Sequence, residues 1–174
     1  MRIGIITPAP PRSRYGNRVT ALRWARILEE LGHRATVAQT YDGESYDLLA
    51  ALHAKRSHAA VRQFRHLFPA RPTVVALTGT DLYRDVRTSA SARASVAMAT
   101  RLVVLQPKAI DELDDSVRGK TRVILQSVSP PQSVRAPTKP GSLRGATTFD
   151  VCVVGHLRHV KDPFRAAMAA RQLP

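Results

Sequence analysis

Short apolar runs of the kind that form buried strands alternate along the chain with segments whose apolar residues recur at helical spacing. The first run, Ile3 to Ile6, is rich in β-branched residues and follows the initiator Met almost directly. A helix from Val19 to Leu31 is predicted after it, because its apolar residues fall on one face and Gly32 is placed to end it. A basic loop, Pro8 to Arg18, separates these two elements.

The same alternation continues as far as residue 128. Five further strands are predicted at 34–39, 47–53, 72–78, 101–106 and 121–126, and helices at 57–68, 89–99 and 108–113. Segment 47–53 also permits a helix, because it is rich in Leu and Ala. This order predicts an α/β domain over residues 1–128, built on a doubly wound, Rossmann-like parallel sheet with helices on both faces.

The character of the sequence changes at residue 129. Residues 129–148 are rich in Pro and Gly and poor in bulky apolar side chains, which predicts a linker. A buried-type strand is predicted at 149–154 and an amphipathic segment at 164–173. One strand and one helix cannot bury their own apolar faces, so we interpret 149–174 as the start of a second domain that is truncated at Pro174.

The charge balance is strongly basic. The chain has 27 Lys and Arg against 13 Asp and Glu, a formal net charge of +14. This predicts attraction to polyanions, anionic membranes or phosphorylated small molecules, and the charge alone does not choose among them. High-GC coding also produces such an arginine-rich composition.

Cysteine content and hydropathy indicate where in the cell the protein is found. The single cysteine, Cys152, excludes an internal disulfide, argues against a structural zinc site and lies in an apolar run typical of a buried thiol. No apolar run approaches the ~18 residues of a membrane span, and no signal-peptide pattern follows Met1. We therefore expect a soluble, cytoplasmic protein without integral membrane contact.

The loop from Pro8 to Arg18 is a candidate anion site, because it follows the carboxyl end of a parallel strand. The start of the next helix, with a predicted cap near Asn17, adds backbone N–H groups of partial positive charge. Gly16 allows close approach of a ligand to the backbone. Three side chains offer forked donors for phosphate-like oxygens: Arg12, Arg14 and Arg18. The alternative is a solvated basic loop without a ligand.

Polar residues also follow the strand at 72–78. Thr78, Thr80 and Asp81 lie at its carboxyl end and are candidate catalytic residues that hydrogen-bond an acceptor or a sugar. The alternative is an Asx-type turn in which Asp81 caps the next segment. Four histidines are interpreted as core or surface residues, and with no cluster of metal ligands visible we expect no metal: His53, His58, His156 and His159.

Several motifs in order resemble the two-domain nucleotide-sugar glycosyltransferases of the GT-B fold, of the retaining family 4 type. The opening strand, basic loop and helix are similar to their acceptor-side loop. The motif LTGTD, Leu77 to Asp81, stands where those enzymes often have His and Gly before an Asp. LVVLQPKAIDEL, Leu102 to Leu113, resembles their strand and helix in which a Ser is common, with Gln106 nearby instead.

VVGHLRHVKDP, Val153 to Pro163, resembles the first strand and loop of their donor domain. The resemblance implies that Gly155, Arg158 and Lys161 bind the diphosphate of a nucleotide sugar. It also implies that the chain comprises the N-terminal domain of a GT-B fold plus the first strand and helix of the second domain.

The loop PAPPRSRYGNRVTALRWARIL, with LTGTDLYRD and GHLRHVKDPFRAA, is similar in particular to the selenosugar synthases of selenoneine biosynthesis. This resemblance covers essentially all of the chain. It implies a glycosyltransferase that joins selenophosphate to a UDP-sugar, UDP-N-acetylglucosamine, and forms a selenosugar without a metal or other cofactor. The implied partners are therefore small-molecule substrates, with no nucleic acid.

The broader group contacts the sugar and the ribose through a pair of glutamates late in the donor domain, and no counterpart occurs before Pro174. We therefore expect the isolated chain to be incomplete and inactive. Two alternatives stay open. One is a GT-B hexosyltransferase with another acceptor, lipid-linked or small. The other is a basic nucleic-acid-binding module, against which an aromatic content of 5% counts.

Overall fold

The structure is a computed structural model that describes residues 1–127, 162 and 164–172. The chain divides into two units, Met1–Ser129 and Pro130–Pro174, and each is described by itself. The predicted linker at 129–148 and strand at 149–154 lie outside the described residues, as do Cys152, Gly155, His156, Arg158, His159 and Lys161.

The first unit is built on one six-stranded sheet in which every strand pairs in parallel with its neighbours. The order across the sheet is β2-β1-β3-β4-β5-β6. This confirms the predicted parallel sheet, and it decides segment 47–53 in favour of a strand. The strands are β1 (Arg2–Ile6), β2 (Arg34–Ala38), β3 (Leu48–Leu52), β4 (Thr73–Leu77), β5 (Arg101–Val104) and β6 (Thr121–Val123).

Five helices and two irregular turns connect the strands. The helices are α1 (Gly16–Glu30), α2 (His58–Leu67), α3 (Val86–Thr88), α4 (Ala90–Met98) and α5 (Asp115–Arg118). A π-helical turn covers Asp81–Asp85 and leads directly into α3, and a 3-10 turn covers Pro107–Ile110.

The helices cover both faces of the sheet, which confirms the doubly wound arrangement. Ala21 and Ala25 of α1 pack with Ile3 and Ile5 on one face. On the opposite face α2 and α4 supply buried residues such as Val61 and Val96, which pack against β4 and β5. Successive strand residues point to opposite faces, so each apolar strand serves both cores.

The start of α1 differs from its prediction, whereas its end agrees. The predicted cap near Asn17 is wrong: the helix begins at Gly16, its N-cap is Tyr15, and no side chain caps it. At the other end Gly32 has φ +82°, and the amides of Gly32 and His33 donate to the carbonyls of Glu29 and Leu28. This is a Schellman motif, for which glycine is favoured because of its left-handed backbone.

The short helix predicted at 108–113 is confirmed only in part. Only the 3-10 turn Pro107–Ile110 forms there, and the amide of Leu113 donates to the carbonyl of Ile110. The tight turn buries both Ala109 and Leu113 against the core. Helix α5, which was not predicted, follows because the Asp114 carboxylate accepts from the Ser116 amide and caps it.

In the second unit the described residues contain one short helix, α6 (Arg165–Ala170). It lies within the amphipathic segment predicted at 164–173, and Phe164 and Met168 are exposed. Over the described residues of both units, no helix is long and apolar enough to cross a membrane.

Candidate functional site

The strand order reverses between the carboxyl ends of β1 and β3, the place at which doubly wound sheets form a crevice. β2 lies on one side of β1 and β3 on the other, so the chain reverses its direction across the sheet at this point. The loop after β1 leads to α1 on one face, and the loop after β3 leads to α2 on the opposite face. Ligands of doubly wound sheets bind at such a reversal.

The loop after β1 is shaped by its own backbone. The Thr7 hydroxyl accepts from the amide of Ala9 at 3.4 Å, and the carbonyl of Tyr15 accepts from the amides of Arg18 and Val19. Arg12 has φ +64°, a left-handed conformation that is uncommon for a residue other than Gly, Asn or Asp. The loop thus turns sharply at Arg12 and enters α1 directly.

Arg18 is the unusual member of this loop, because part of its guanidinium is buried without a partner. Nε and Nη1 have no contact with solvent and no hydrogen-bond partner among the described residues, and the Ser13 hydroxyl oxygen is in the same situation. A buried donor without an acceptor costs about 1–3 kcal/mol, more if it is charged. Such groups in a folded protein call for an explanation, and water or a bound ion beyond the described residues is one.

The other residues predicted for acceptor binding surround Arg18 without being buried. Arg12 and Arg14 are exposed, and Asn17 is half-buried inside the first turn of α1. A Cβ added at Gly16 would meet no atom within 4 Å, so space is open there. The first turn of α1 has no side-chain cap, and since the amide of Arg18 donates to Tyr15, the amides of Gly16 and Asn17 are the ones available to an anion.

Asp81, predicted as catalytic, lies at the carboxyl end of β4 and is fully buried. Its Oδ1 accepts from the amides of Thr78 at 3.0 Å and Gly79 at 2.8 Å, and its Oδ2 accepts from the amide of Ala54 at 3.0 Å. The carboxylate therefore joins the loop after β4 to the loop after β3. The Asx-type alternative, in which Asp81 caps the next segment, is wrong, because all three amides precede Asp81 in the chain and the turn Asp81–Asp85 has no side-chain cap. Thr80, by contrast, is exposed, and Thr78 is half-buried.

A buried histidine completes this end of the site. His53 Nδ1 lies 4.0 Å from Asp81 Oδ2, and Nε2 lies 3.9 Å from Asp85 Oδ2. Asp85 is itself buried, and its Oδ1 also pairs with Arg84 Nε at 3.0 Å and Lys55 Nζ at 3.8 Å. Burial lowers the pKa of His53, although the two carboxylates oppose that shift.

Sequence reasoning missed this group, because it treated His53 as a core or surface residue. One local signal was present: Asp81 and Asp85 are four residues apart, which places them on one side of a helical turn. Their contact with His53 depends on the parallel pairing of β3 with β4. That pairing brings together loops that are 28 residues apart.

The tail after β6 returns to α1. Gln126 Nε2 donates to the Thr20 hydroxyl at 3.0 Å, and Arg23 Nε donates to the Ser127 hydroxyl at 3.3 Å. At the carboxyl end of β5, Gln106 Nε2 donates to the Tyr83 hydroxyl at 2.7 Å. Gln106 is therefore linked to the LTGTDLYRD segment.

The residues predicted to bind the nucleotide sugar, Gly155, Arg158 and Lys161, lie outside the described part of the chain. Within the part that is described, no group of three or more His, Cys, Asp or Glu side chains is arranged to hold a metal ion.

Neither a protein-family model nor a curated protein matches this chain.

Proposed function

We propose that the chain is the acceptor-side part of a glycosyltransferase that transfers a sugar from a UDP-sugar to a small anionic acceptor. The acceptor is selenophosphate or an anion of the same shape, and the donor is UDP-N-acetylglucosamine. The proposal combines the family resemblance with one structural observation, the unpartnered guanidinium nitrogens of Arg18 at the β1 end of the crevice.

Arg18 suits a phosphate-like anion better than a neutral sugar hydroxyl. A guanidinium carries a full positive charge and its N–H donors lie in one plane, so Nε and Nη1 can each donate to an oxygen of an anion from different edges of that plane. The uncapped amides of α1 and the neighbouring arginines 12 and 14 add positive potential. An anion in this place satisfies buried donors that the described chain leaves unmet.

On this proposal Asp81 supports the site and does not act as a base. Its two oxygens are occupied by three backbone amides, and its side chain is fully buried. A selenophosphate nucleophile is already anionic, so it attacks the anomeric carbon of the sugar without a general base. The Thr80 hydroxyl is the exposed group of this turn and contacts the ligand.

The donor side of the proposal comes from the resemblance alone. Arg158 and Lys161 would stabilise the negative charge that develops on the departing UDP, an electrostatic role that needs no metal. In this reaction the bond between the anomeric carbon and the UDP oxygen breaks, and a bond between that carbon and the selenium of selenophosphate forms. A later hydrolysis would remove the phosphoryl group.

The first test is binding of inorganic phosphate by calorimetry, at fixed pH and ionic strength, to the wild type and to Arg18→Gln. We expect Arg18→Gln to weaken binding roughly ten- to a hundredfold, the value of a hydrogen bond between charged groups. Arg62→Gln is the matched control, because it removes the same charge from the exposed surface of α2. Equal affinity in all three proteins would refute the anion site.

The second test measures UDP release from UDP-N-acetylglucosamine, with and without selenophosphate, by the protein expressed from its complete reading frame. UDP release that depends on selenophosphate supports the specific reaction. Release with another acceptor only would favour the hexosyltransferase alternative. Tight, steeply salt-dependent binding to duplex DNA at physiological ionic strength, with no UDP release, would favour the nucleic-acid alternative.

A further inference from the structure

A buried histidine at the end of β3 contacts an exposed hydroxyl of the neighbouring loop. His53 is 4% exposed and has φ +75°, so it occupies a left-handed conformation that is uncommon for residues other than glycine. Its Nε2 lies 3.4 Å from Oγ1 of Thr80, at the long end of the hydrogen-bond range. Strained residues held in this way are concentrated at functional sites.

The surrounding backbone holds His53 in place. Its amide donates to the carbonyl of Ala76 on β4 at 2.9 Å, and its carbonyl accepts from the amide of Ser57 at 3.0 Å. The next residue, Ala54, donates to Asp81 Oδ2. The loop therefore keeps the imidazole against Thr80 despite the unfavourable φ.

One contact indicates which ring nitrogen carries the proton. The amide of Arg56 donates to His53 Nδ1 at 3.4 Å, so Nδ1 acts as an acceptor. In the neutral ring the proton is then on Nε2, which faces the Thr80 hydroxyl. Thr80 Oγ1 accepts a hydrogen bond from this N–H group. The Thr80 O–H is therefore free to donate to another partner.

We propose that His53 is a positioning residue that holds the Thr80 hydroxyl as a hydrogen-bond donor to an oxygen of the anionic ligand. This inference rests on the proposed function and deepens it. The Thr80 hydroxyl donates a hydrogen bond to the acceptor anion and does not accept one from a hydroxyl of the sugar. β1 and β4 are separated by one strand, so their carboxyl ends lie about 10 Å apart at the same edge of the sheet.

Protonation of His53 removes this arrangement. Nδ1 would then carry a proton, so two N–H donors, Nδ1 and the Arg56 amide, would face each other. Asp81 Oδ2 at 4.0 Å and Asp85 Oδ2 at 3.9 Å would attract the charged ring. The other charged groups near the ring are cationic: Arg56, with Lys55 and Arg84 paired to Asp85. The ring would turn from Thr80 to the carboxylates, and anion binding would weaken.

The first measurement is the tautomer of His53, from its imidazole ¹⁵N shifts in labelled protein at neutral pH. We expect a neutral ring with the proton on Nε2. A ring with the proton on Nδ1 would overturn the inference, because Thr80 would then donate to His53 and not to a ligand.

The second measurement is the affinity for sulfate between pH 5 and pH 8, since sulfate keeps its charge throughout this range. Thr80→Val is expected to weaken binding roughly five- to tenfold, as is His53→Asn, whose amide replaces Nδ1 but not the Nε2 donor. His53→Gln places a donor near the Nε2 position, so it should retain wild-type affinity within about twofold and lose the acid-side weakening. Asn also tolerates a positive φ, which keeps His53→Asn folded.

His66→Gln, on the exposed surface of α2, is the control for loss of a histidine, and Arg18→Gln separates the two proposals. If Arg18→Gln abolishes sulfate binding while Thr80→Val and His53→Asn bind like the wild type, the inference fails and the anion site stands. If the wild type binds no sulfate, both fail.

Discussion

Two polar regions at the same edge of the sheet are completed in opposite ways. Around Asp81 each carboxylate oxygen has a backbone donor, and three amides from two loops converge on one buried side chain. Around Arg18 two guanidinium nitrogens and the neighbouring Ser13 hydroxyl are buried with no partner in the described chain.

The difference separates scaffold from binding site. A buried polar group whose partners are all within the chain stabilises the fold, because its desolvation is offset during folding. A buried cation without partners destabilises the empty protein, and an anion that binds there removes the penalty. Asp81 therefore belongs to the scaffold, whereas Arg18 is the residue that we propose holds an anion.

Substitution of Asp81 should have the largest effect on stability. Asp81→Ala removes the acceptor of three amides, so we expect the free energy of unfolding to fall by about 3–5 kcal/mol in urea denaturation. Asp114→Ala is the control, because Asp114 is an exposed cap whose loss costs about 1 kcal/mol. A loss for Asp81→Ala no larger than that of the control would contradict the scaffold role.

Substitution of Arg18 by an apolar residue should have a smaller effect of the opposite sign. Arg18→Met keeps much of the side-chain volume and removes the unmet donors, so we expect unfolding to require about 1 kcal/mol more in the absence of anions. Added phosphate should raise the melting temperature of the wild type but not of the variant. A destabilised Arg18→Met with unchanged phosphate response would show that the buried guanidinium serves the fold.

The elements with a local cause could be predicted from the sequence. β1, β3 and β4 are apolar runs long enough for a buried strand, and Gly32 supplies the backbone that ends α1. The 3-10 form of the turn at Pro107–Ile110 could not be predicted, because its apolar residues suit an α-helix equally well. The difference depends on packing, since Leu113 is buried in the core just after the turn.

The sequence predicted which loops form the candidate site, but not which side-chain contacts those loops make. The loop at 8–18 and the turn at 78–81 follow from their place after strands, a rule of parallel sheets. The burial of the Arg18 nitrogens and the contact of His53 with two aspartates depend on how distant loops pack. Spacing along the chain carries no signal for either of them, apart from the four-residue interval between Asp81 and Asp85.

The smallest effect expected is a pH dependence of stability that comes from His53. Burial lowers its pKa in the folded protein below the ordinary value of 6.5, so the unfolded chain takes up a proton at a higher pH than the folded chain does. The stability contributed by neutral His53 is complete above pH 6.5 and is lost as the pH falls through the lower folded pKa. Urea denaturation at a series of pH values should therefore show a slope between these two limits that is absent in His53→Asn. The same slope in both proteins would assign the pH dependence to other groups, and a stability that rises on acidification in the wild type alone would show that the paired aspartates outweigh burial.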